Sequence, residues 1–377
     1  MKKTILIAGI LLSGLLLIIN NAEADKRLPL NTLKSPYPVY MELPNGLNIK
    51  TDNSNCLTPP TPSYDLIFTS VYTDKSNGVS IVDKKAQKKY RSQISKLKKY
   101  ETQIYKWIES GFTGDTNGDH NIACAISWLK DWAEGNSLLN GKTNFQGEAV
   151  RKWTLASLSS HYLQIKHLPN IDTNDKKTIE KWLKRLAKVV IQDYERNPES
   201  KSRNNNHMYW ATWSVMITSI ALNDIHFYRW SRKYFKEALE SIQADGTLPL
   251  ELYREGKAFH YHVFAAGPLV LMAETVTRNG HDMYEYRHGS LKRLINRILE
   301  EIENDQSYIT NLINVEQNLN RTLTSGNLAW LEVYNTRYPS ETAQIWLDNL
   351  RPMVQRRLGG NLTRLYLTTD FELEKHK

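Results

Sequence analysis

Apolar residues recur every three to four positions through most of the chain after Asp83, which is the spacing of amphipathic helices. Within one segment Val150 and Leu158 fall near one helical face, whereas Arg151 and Lys152 lie off that face. The pattern predicts helices over 84–110, 119–135, 146–167, 174–195, 205–222, 226–243, 257–279, 288–303, 327–337 and 341–357.

The predicted helices are separated by residues that end helices, among them Gly111, Pro169 and Gly246. Strands do not alternate with these helices, so a doubly wound sheet is excluded and the predicted fold class is all-α. Two arrangements remain, an irregular bundle and a ring of helical hairpins. A weak repetition of about 45–50 residues per helix pair favours the ring.

The N-terminus carries an apolar segment of a different kind. Lys2 and Lys3 precede an almost wholly apolar run over 4–19, and residues 22–24 read Ala-Glu-Ala, the small-x-small pattern of a cleavage site. A membrane anchor is the alternative, but a run of about 16 residues is shorter than the ~20 needed to span a bilayer. The sequence therefore predicts a signal peptide over 1–24, cleaved near Ala24, and a periplasmic mature protein without a membrane anchor.

The mature chain, residues 25–377, is expected to form a single domain and to be a monomer. Its first part, residues 25–65, is rich in proline, asparagine and serine. Prolines forbid a long helix, so this part is predicted to be an extended N-terminal arm. Residues 66–82 contain Gly78 among serine, asparagine and aspartate, and they are predicted to form a mobile surface loop, a lid.

The 377-residue chain is basic and rich in aromatic residues. It contains 49 Lys+Arg against 40 Asp+Glu, a formal charge of +9, with 10 Trp and 20 Tyr. A basic surface suggests a polyanionic partner, which could be nucleic acid, an acidic membrane face or an acidic polysaccharide. Export from the cytoplasm makes nucleic acid a poor candidate, so an acidic polysaccharide becomes the leading interpretation.

The chain contains two cysteines, Cys56 and Cys124. In an oxidising compartment the default expectation is one disulfide, and two buried free thiols are the alternative. Residues 115–119 begin like a calcium loop, but His120 stands where that loop needs glycine. His260 and His262 would fall on different sides of a helix. The sequence therefore predicts neither a metal site nor a cofactor.

Two segments carry candidate chemistry. Asn204, Asn205 and Asn206 precede His207 at the start of a predicted helix, where free N–H groups favour anions. Helix capping accounts for one asparagine but not for three followed by a histidine.

The second segment covers residues 245–262. Arg254 and Tyr261 are seven positions apart, two helical turns, so they can share one face. An arginine beside a tyrosine stabilises the phenolate, which makes the tyrosine a usable acid and base. The plainer alternative is one more tyrosine packed against an arginine.

These segments resemble the poly(mannuronate) lyase family, the helical alginate lyases of polysaccharide lyase family 5. The resemblance covers nearly all of the mature chain. Matching segments lie at 56–60, 68–70, 123–125, 146–153, 205–214, 245–254, 260–262, 328–334 and 356–363. The resemblance implies an incomplete α/α toroid with a deep cleft, which agrees with the ring of helical hairpins, and an anionic uronate polysaccharide as substrate.

The resemblance also implies a mechanism, β-elimination from a 1,4-linked uronate chain. Tyr261 would act as acid and base, and Asn206, His207 and Arg254 would neutralise the carboxylate beside C5. Substrate-binding roles are implied for Tyr72, Gln146, Trp153, Trp210, His260 and Arg357. In L-guluronate the C5 hydrogen and O4 leave from opposite sides, and His207 would then be the candidate for a separate base.

One position departs from the family pattern. The lid of the family commonly carries a lysine just before a tyrosine, but here Val71 precedes Tyr72, with Lys75 as a possible substitute. This departure leaves strict mannuronate specificity open.

Three alternatives remain beside a polymannuronate lyase. The first is a broader lyase for glucuronan or hyaluronan-like chains. The second is a helical-toroid glycoside hydrolase, which would need a carboxylic acid pair; Glu148, Glu251 and Glu255 are present but form no recognisable pair. The third is a non-catalytic polysaccharide-binding protein.

Overall fold

A computed structural model describes residues 32–38, 55–72, 81–139, 141–319 and 321–367. The predicted signal peptide and its cleavage point lie outside the described residues, as do much of the predicted arm and residues 73–80 of the predicted lid. Contacts divide the chain into residues 1–33 and residues 34–377, and the fold of the second unit is described below. Within the described residues, no helix has the length and apolar character needed to cross a membrane.

The described part of the second unit contains fourteen α-helices. They are α1 Lys84–Gln93, α2 Ser95–Phe112, α3 Gly118–Glu134, α4 Phe145–Ile165, α5 Thr173–Glu195, α6 Asn206–Leu222, α7 Ile225–Ser241, α8 Pro249–Leu252, α9 Ala258–Arg278, α10 Tyr286–Glu303, α11 Ser307–Ile313, α12 Trp330–Arg337, α13 Glu341–Leu350 and α14 Leu362–Tyr366. Short 3₁₀ turns cover Lys201–Arg203, Glu255–Lys257 and Arg356–Leu358, and strands β1 Val354–Gln355 and β2 Gly360–Asn361 form one antiparallel pair.

The all-α prediction is confirmed, and most predicted helices begin and end within a few residues of the observed ones. Two predictions were wrong. The helix predicted over 84–110 is divided at Ile94, and the one predicted over 341–357 ends at Leu350. Proline has no N–H to donate and restricts the residue before it, so Pro352 accounts for the second difference. The short helices α8, α11 and α14 were not predicted.

The helices separate into an inner and an outer set. Helices α4, α6 and α9 are buried on almost every side, whereas α2, α5, α7 and α10 bury one face each. Helix α4 packs against α6, and α6 also packs against α9. A hydrogen bond of 2.7 Å between Ser159 Oγ and Thr218 Oγ1 joins α4 to α6 inside the core. The inner set therefore includes polar side chains as well as apolar ones.

The N-terminal ends of α6 and α9 carry the residues with candidate chemistry. The Asn205 side chain caps α6 by accepting a hydrogen bond from the N–H of His207 at 2.9 Å. This cap begins the helix at Asn206 and places Asn206 and His207 in its first turn. Arg254 lies in the turn between α8 and α9, and Tyr261 lies in the first turn of α9.

The segment over 66–72 is fixed at both ends. Leu66 donates its N–H to the carbonyl of Lys142 at 2.8 Å, and its own carbonyl lies so close to Gly147 that a side chain at Gly147 would overlap it. At the other end Tyr72 pairs with Val82. The absence of a side chain at Gly147 thus allows this segment to lie directly on the start of α4.

Cys56 and Cys124 form a disulfide, as predicted. The bond attaches the segment over 55–65 to α3. Two indole N–H groups reinforce the attachment, since Trp128 donates to the carbonyl of Leu57 at 2.5 Å and Trp132 donates to the carbonyl of Pro60 at 2.7 Å. A covalent bond and two hydrogen bonds therefore hold this irregular segment on one helix.

Replacing both cysteines by serine should destabilise the protein without unfolding it. The two cysteines are 68 residues apart, and removing a cross-link over such a loop costs about 4 kcal/mol in the chain-entropy model. Thermal unfolding followed by circular dichroism should show a melting temperature lower by several degrees. Wild-type protein treated with a reductant should show the same shift, and an unchanged melting temperature in both samples would contradict the prediction.

Candidate active site

A cleft of about 470 Å³ lies between the N-terminal ends of α6 and α9. Five residues predicted to take part in catalysis or binding line it: Tyr72, Gln146, His207, Arg254 and Tyr261. The other lining residues are Ser70, Phe145, Ser200, Lys201, Ser202, Asn205, Leu250 and Tyr253. The structure thus brings residues from the 66–72 segment, α4, α6 and α9 into one place.

Two tyrosine hydroxyls meet in this cleft. Tyr72 Oη lies 2.5 Å from Tyr261 Oη, and either hydroxyl can be the donor. The guanidinium carbon of Arg254 lies 4.6 Å from the centre of the Tyr261 ring. A hydroxyl donor and a cation beside a phenol both stabilise the phenolate. The surroundings of Tyr261 therefore suit a group that loses and regains a proton.

His207 is half-buried beside the tyrosine pair. Its ring centre lies 4.8 Å from that of Phe145 and 6.3 Å from that of Trp153. Burial lowers the pKa of His207 well below its usual value, and the nearby cations Lys152 and Arg254 lower it further. His207 is therefore a neutral imidazole at neutral pH, with one N–H to donate and one lone pair to accept.

Asn206 lies behind His207 and is bound to a buried carboxylate. Glu251 accepts a hydrogen bond from the Asn206 backbone N–H at 2.7 Å, and its two oxygens lie 3.0 and 2.9 Å from Asn206 Nδ2. The Arg254 Nε lies 3.8 Å from the same carboxylate. Burial raises the pKa of Glu251, although the bonds from Asn206 and the charge of Arg254 oppose the rise. Asn206 therefore directs its amide N–H groups at Glu251 in this structure.

Trp153 and Arg357 line a neighbouring cavity of about 320 Å³ rather than the cleft. The guanidinium carbon of Arg357 lies 4.3 Å from the centre of the Trp153 ring. The indole N–H of Trp153 is buried and has no hydrogen-bond partner among the described residues. Trp153 also stacks on His207, so the two cavities meet at this pair of rings. Their predicted role in binding stays a prediction.

The structure places Trp210 in the core, not in the cleft. Its side chain is 2% exposed, and its indole N–H donates to the carbonyl of Phe264 at 3.2 Å. A sugar ring has no access to its face, which corrects the expectation of direct stacking. His260 is half-buried beside Tyr261, and its Nδ1 lies 3.1 Å from Thr322 Oγ1. Burial and the charge of Lys257 lower the pKa of His260 to about 4, so it is neutral near pH 7.

Sequence reasoning missed four residues around the cleft. Lys152 was placed off the apolar face of its helix, but α4 is buried on nearly all sides, so this lysine lies in the interior. Glu251 was considered only as an acid for hydrolysis. Lys201 lines the cleft, and Lys257 Nζ lies 5.0 Å from the centre of the Tyr72 ring. A basic residue inside a segment of family resemblance was the signal that could have identified Lys152.

Among the described residues, the potential metal ligands that group in threes are Cys56, His120 and Cys124. The two cysteines are joined in the disulfide, so neither offers a thiolate to a metal ion. The prediction that the protein uses no metal stays a prediction.

Solved structures share this fold. A Tyr-to-Phe variant of alginate lyase A1-III complexed with a tetrasaccharide matches with a TM-score of 0.77 and 21% identity, over 91% of this chain and 98% of that one. Alginate lyase A1-III from Sphingomonas species A1 matches with a TM-score of 0.73 and 21% identity, over 91% and 98% of the two chains. The fold is thus the predicted all-α toroid with a cleft.

Sequence comparison then gives the class and the family. The alginate lyase of Pseudomonas aeruginosa is 32% identical over 313 residues, which cover 82% of this chain and 84% of the relative. That of Pseudomonas fluorescens is 30% identical over 371 residues, which cover 97% and 96%. The protein is an enzyme, a polysaccharide lyase. The alginate lyase family model matches residues 68–308, and the chain belongs to that family.

Glu251→Ala should weaken both the fold and the enzyme. The substitution leaves the buried backbone N–H and side-chain amide of Asn206 without their acceptor, at a cost of about 2 kcal/mol or more in the free energy of unfolding. Turnover should fall as well, because Asn206 and Arg254 lose their shared partner. Denaturant unfolding and an assay of the folded fraction would measure the two effects.

The matched control for this variant is Glu255→Ala, the same change at an exposed position four residues further along. Its free energy of unfolding should stay within about 0.5 kcal/mol of wild type. Equal effects of the two substitutions would show that the contacts of Glu251 do not stabilise the site.

Proposed function

We propose that this protein cleaves 1,4-linked uronate polymers, polymannuronate first among them, by β-elimination. The observation that carries the proposal is the tyrosine hydroxyl pair, Tyr72 and Tyr261, in one cleft with Arg254 and His207. The relatives are named alginate lyases, and one structural neighbour is complexed with a tetrasaccharide. We place the mature enzyme in the periplasm, as a monomer, on the strength of the N-terminal segment over 1–24.

The reaction requires that the carboxylate beside C5 be neutralised. Removal of the C5 proton sends negative charge onto that carboxylate, so donors and cations directed at it lower the barrier. Arg254 supplies a fixed positive charge in the cleft, and His207 supplies a neutral N–H donor. Asn206 is the third predicted donor; for it to reach the substrate, one of its N–H groups must leave Glu251.

Tyr261 is the proposed acid and base. As phenolate it takes the proton from C5, the C4–C5 double bond forms, and the bond from C4 to the glycosidic O4 breaks. The same phenol then gives its proton to O4, because in D-mannuronate the C5 hydrogen and O4 lie on the same side of the ring. Tyr72 donates its hydroxyl proton to the phenolate and stabilises its charge. The step needs no water molecule as a reactant.

The charges around the cleft suit a polyanion. Lys201 and Arg254 line it, and Lys257 lies against the Tyr72 ring. These cations offset the missing lysine at Val71, while Lys75 lies outside the described residues. D-Glucuronate matches mannuronate at C4 and C5, so the same residues can cleave glucuronate polymers. The departure at Val71 makes broader specificity the second candidate function.

The cleft does not favour a hydrolase. Hydrolysis of a glycoside requires two carboxylic acids across the scissile bond. Among the described residues that line the cleft, there is no aspartate or glutamate. Glu148 is bound to Arg196 at 2.5 Å, and Glu251 is buried behind Asn206.

Tyr261→Phe should abolish turnover while leaving the fold intact. Loss of an acid and base in the transition state costs about 10²–10⁴-fold in rate. The assay follows the ultraviolet absorbance of the unsaturated uronate product on polymannuronate, polyguluronate, glucuronan and hyaluronan. We expect the wild type to be fastest on polymannuronate.

The control is Tyr253→Phe, which removes a hydroxyl from an exposed tyrosine that lines the same cleft. This variant should keep activity within a few-fold of wild type. A wild type without activity on any uronate polymer would sink the proposal, and an active Tyr261→Phe would remove Tyr261 from its role.

A further inference from the structure

Lys152 is buried where a lysine is costly. Its side chain is 0% exposed, within α4. Among the described residues no carboxylate lies within ion-pairing distance of its ammonium group, unlike that of the neighbouring Arg151, which pairs with Asp193 at 2.5 Å. A buried charge without an opposite charge is strongly unfavourable unless hydrogen bonds compensate for it. Packing alone would be served by a methionine, so the lysine calls for another explanation.

Three polar groups surround the Lys152 amine. Its Nζ lies 2.5 Å from Tyr194 Oη, 2.8 Å from the His207 carbonyl oxygen and 3.0 Å from His207 Nδ1. An ammonium has three N–H groups and no acceptor, so each N–H is matched to one of these partners. Two of the three belong to His207, one of the residues that line the cleft.

These contacts decide which ring nitrogen of His207 carries the proton. Because Lys152 donates to Nδ1, the neutral ring must carry its proton on Nε2. Burial and the charge of Arg357 lower the pKa of Lys152, against the smaller opposing effect of Glu148 and Asp193. If the amine loses a proton, Tyr194 can donate to its lone pair. The two remaining N–H groups still serve the His207 oxygen and Nδ1, so the tautomer is the same.

We propose that Lys152 is a positioning residue that holds His207 in the Nε2–H form and thereby selects mannuronate over guluronate. The inference rests on the proposed β-elimination. With Nε2–H toward the cleft, His207 donates to the substrate carboxylate, which mannuronate cleavage requires. To act as the separate base for guluronate, His207 would need its lone pair on Nε2 and its proton on Nδ1. That proton would point at an N–H of Lys152.

The tautomer can be read without any substrate. The experiment is a long-range proton–nitrogen correlation spectrum of the intact protein labelled with ¹⁵N-histidine at pH 7. His207→Ala assigns the His207 signals by their loss. We expect a protonated Nε2 and an unprotonated Nδ1. A proton on Nδ1 of His207 would overturn the proposal whatever the activity of the enzyme.

The selectivity is tested with Lys152→Met, which keeps the length of the side chain and removes its donors. Its kcat/KM on polymannuronate should fall about tenfold or more, since a donor at the developing charge is no longer held in place. Its kcat/KM on polyguluronate should fall much less, so the ratio of the two values drops at least about fivefold. An equal loss on both polymers would make Lys152 a purely structural residue and overturn the proposal.

The matched control is Lys166→Met. It removes a half-buried lysine at the end of the same helix, where Lys166 contacts the Ala221 carbonyl and Glu180 instead of the cleft. Its ratio should stay within about twofold of wild type. If Lys152→Met does not fold, the wild-type spectrum still decides the tautomer. A wild type that cleaves no uronate polymer contradicts the proposed function alone, because the spectrum does not depend on cleavage.

Discussion

The carboxylate of Glu251 joins the two halves of the active site. It accepts the first N–H of α6 and the amide of Asn206, and it lies 3.8 Å from Arg254 in the turn before α9. Buried carboxylates are retained when hydrogen bonds and a cation compensate for lost hydration. Because one charged group contacts both helix ends, the start of α6 cannot move without disturbing Arg254. The distances among His207, Arg254 and Tyr261 follow from this connection.

The sequence predicted the helices well because their apolar periodicity records which face is buried. It predicted poorly where burial is not one-sided. Helix α4 is enclosed all round, so its pattern gave no warning that Lys152 and Arg151 lie inside. Trp210 shows the converse, since a tryptophan beside catalytic residues belongs to the core. The pairing of Tyr72 with Tyr261 joins residues 189 positions apart, and no local pattern contains it.

The two sides of His207 have different work. One side faces Lys152, with Trp153 and Phe145 packed around the ring, and the other faces the cleft. A histidine held this way is a fixed donor instead of a titrating group, because its lowered pKa keeps it neutral. The charge in the site then comes from Arg254 and the lysines, whose positive form does not depend on small changes of pH near neutrality.

The acid-free lining of the cleft has a consequence for what happens after a cut. Elimination breaks a bond and forms a double bond, but it removes no carboxylate, so every sugar of the product keeps its negative charge. The cations at Lys201 and Arg254 therefore attract a freshly made chain end as strongly, sugar for sugar, as the intact polymer. Only shortening weakens that attraction, because a short fragment carries fewer charges. Long fragments are retained for another cut while short ones escape, and the size of the released oligosaccharides is governed by ionic strength.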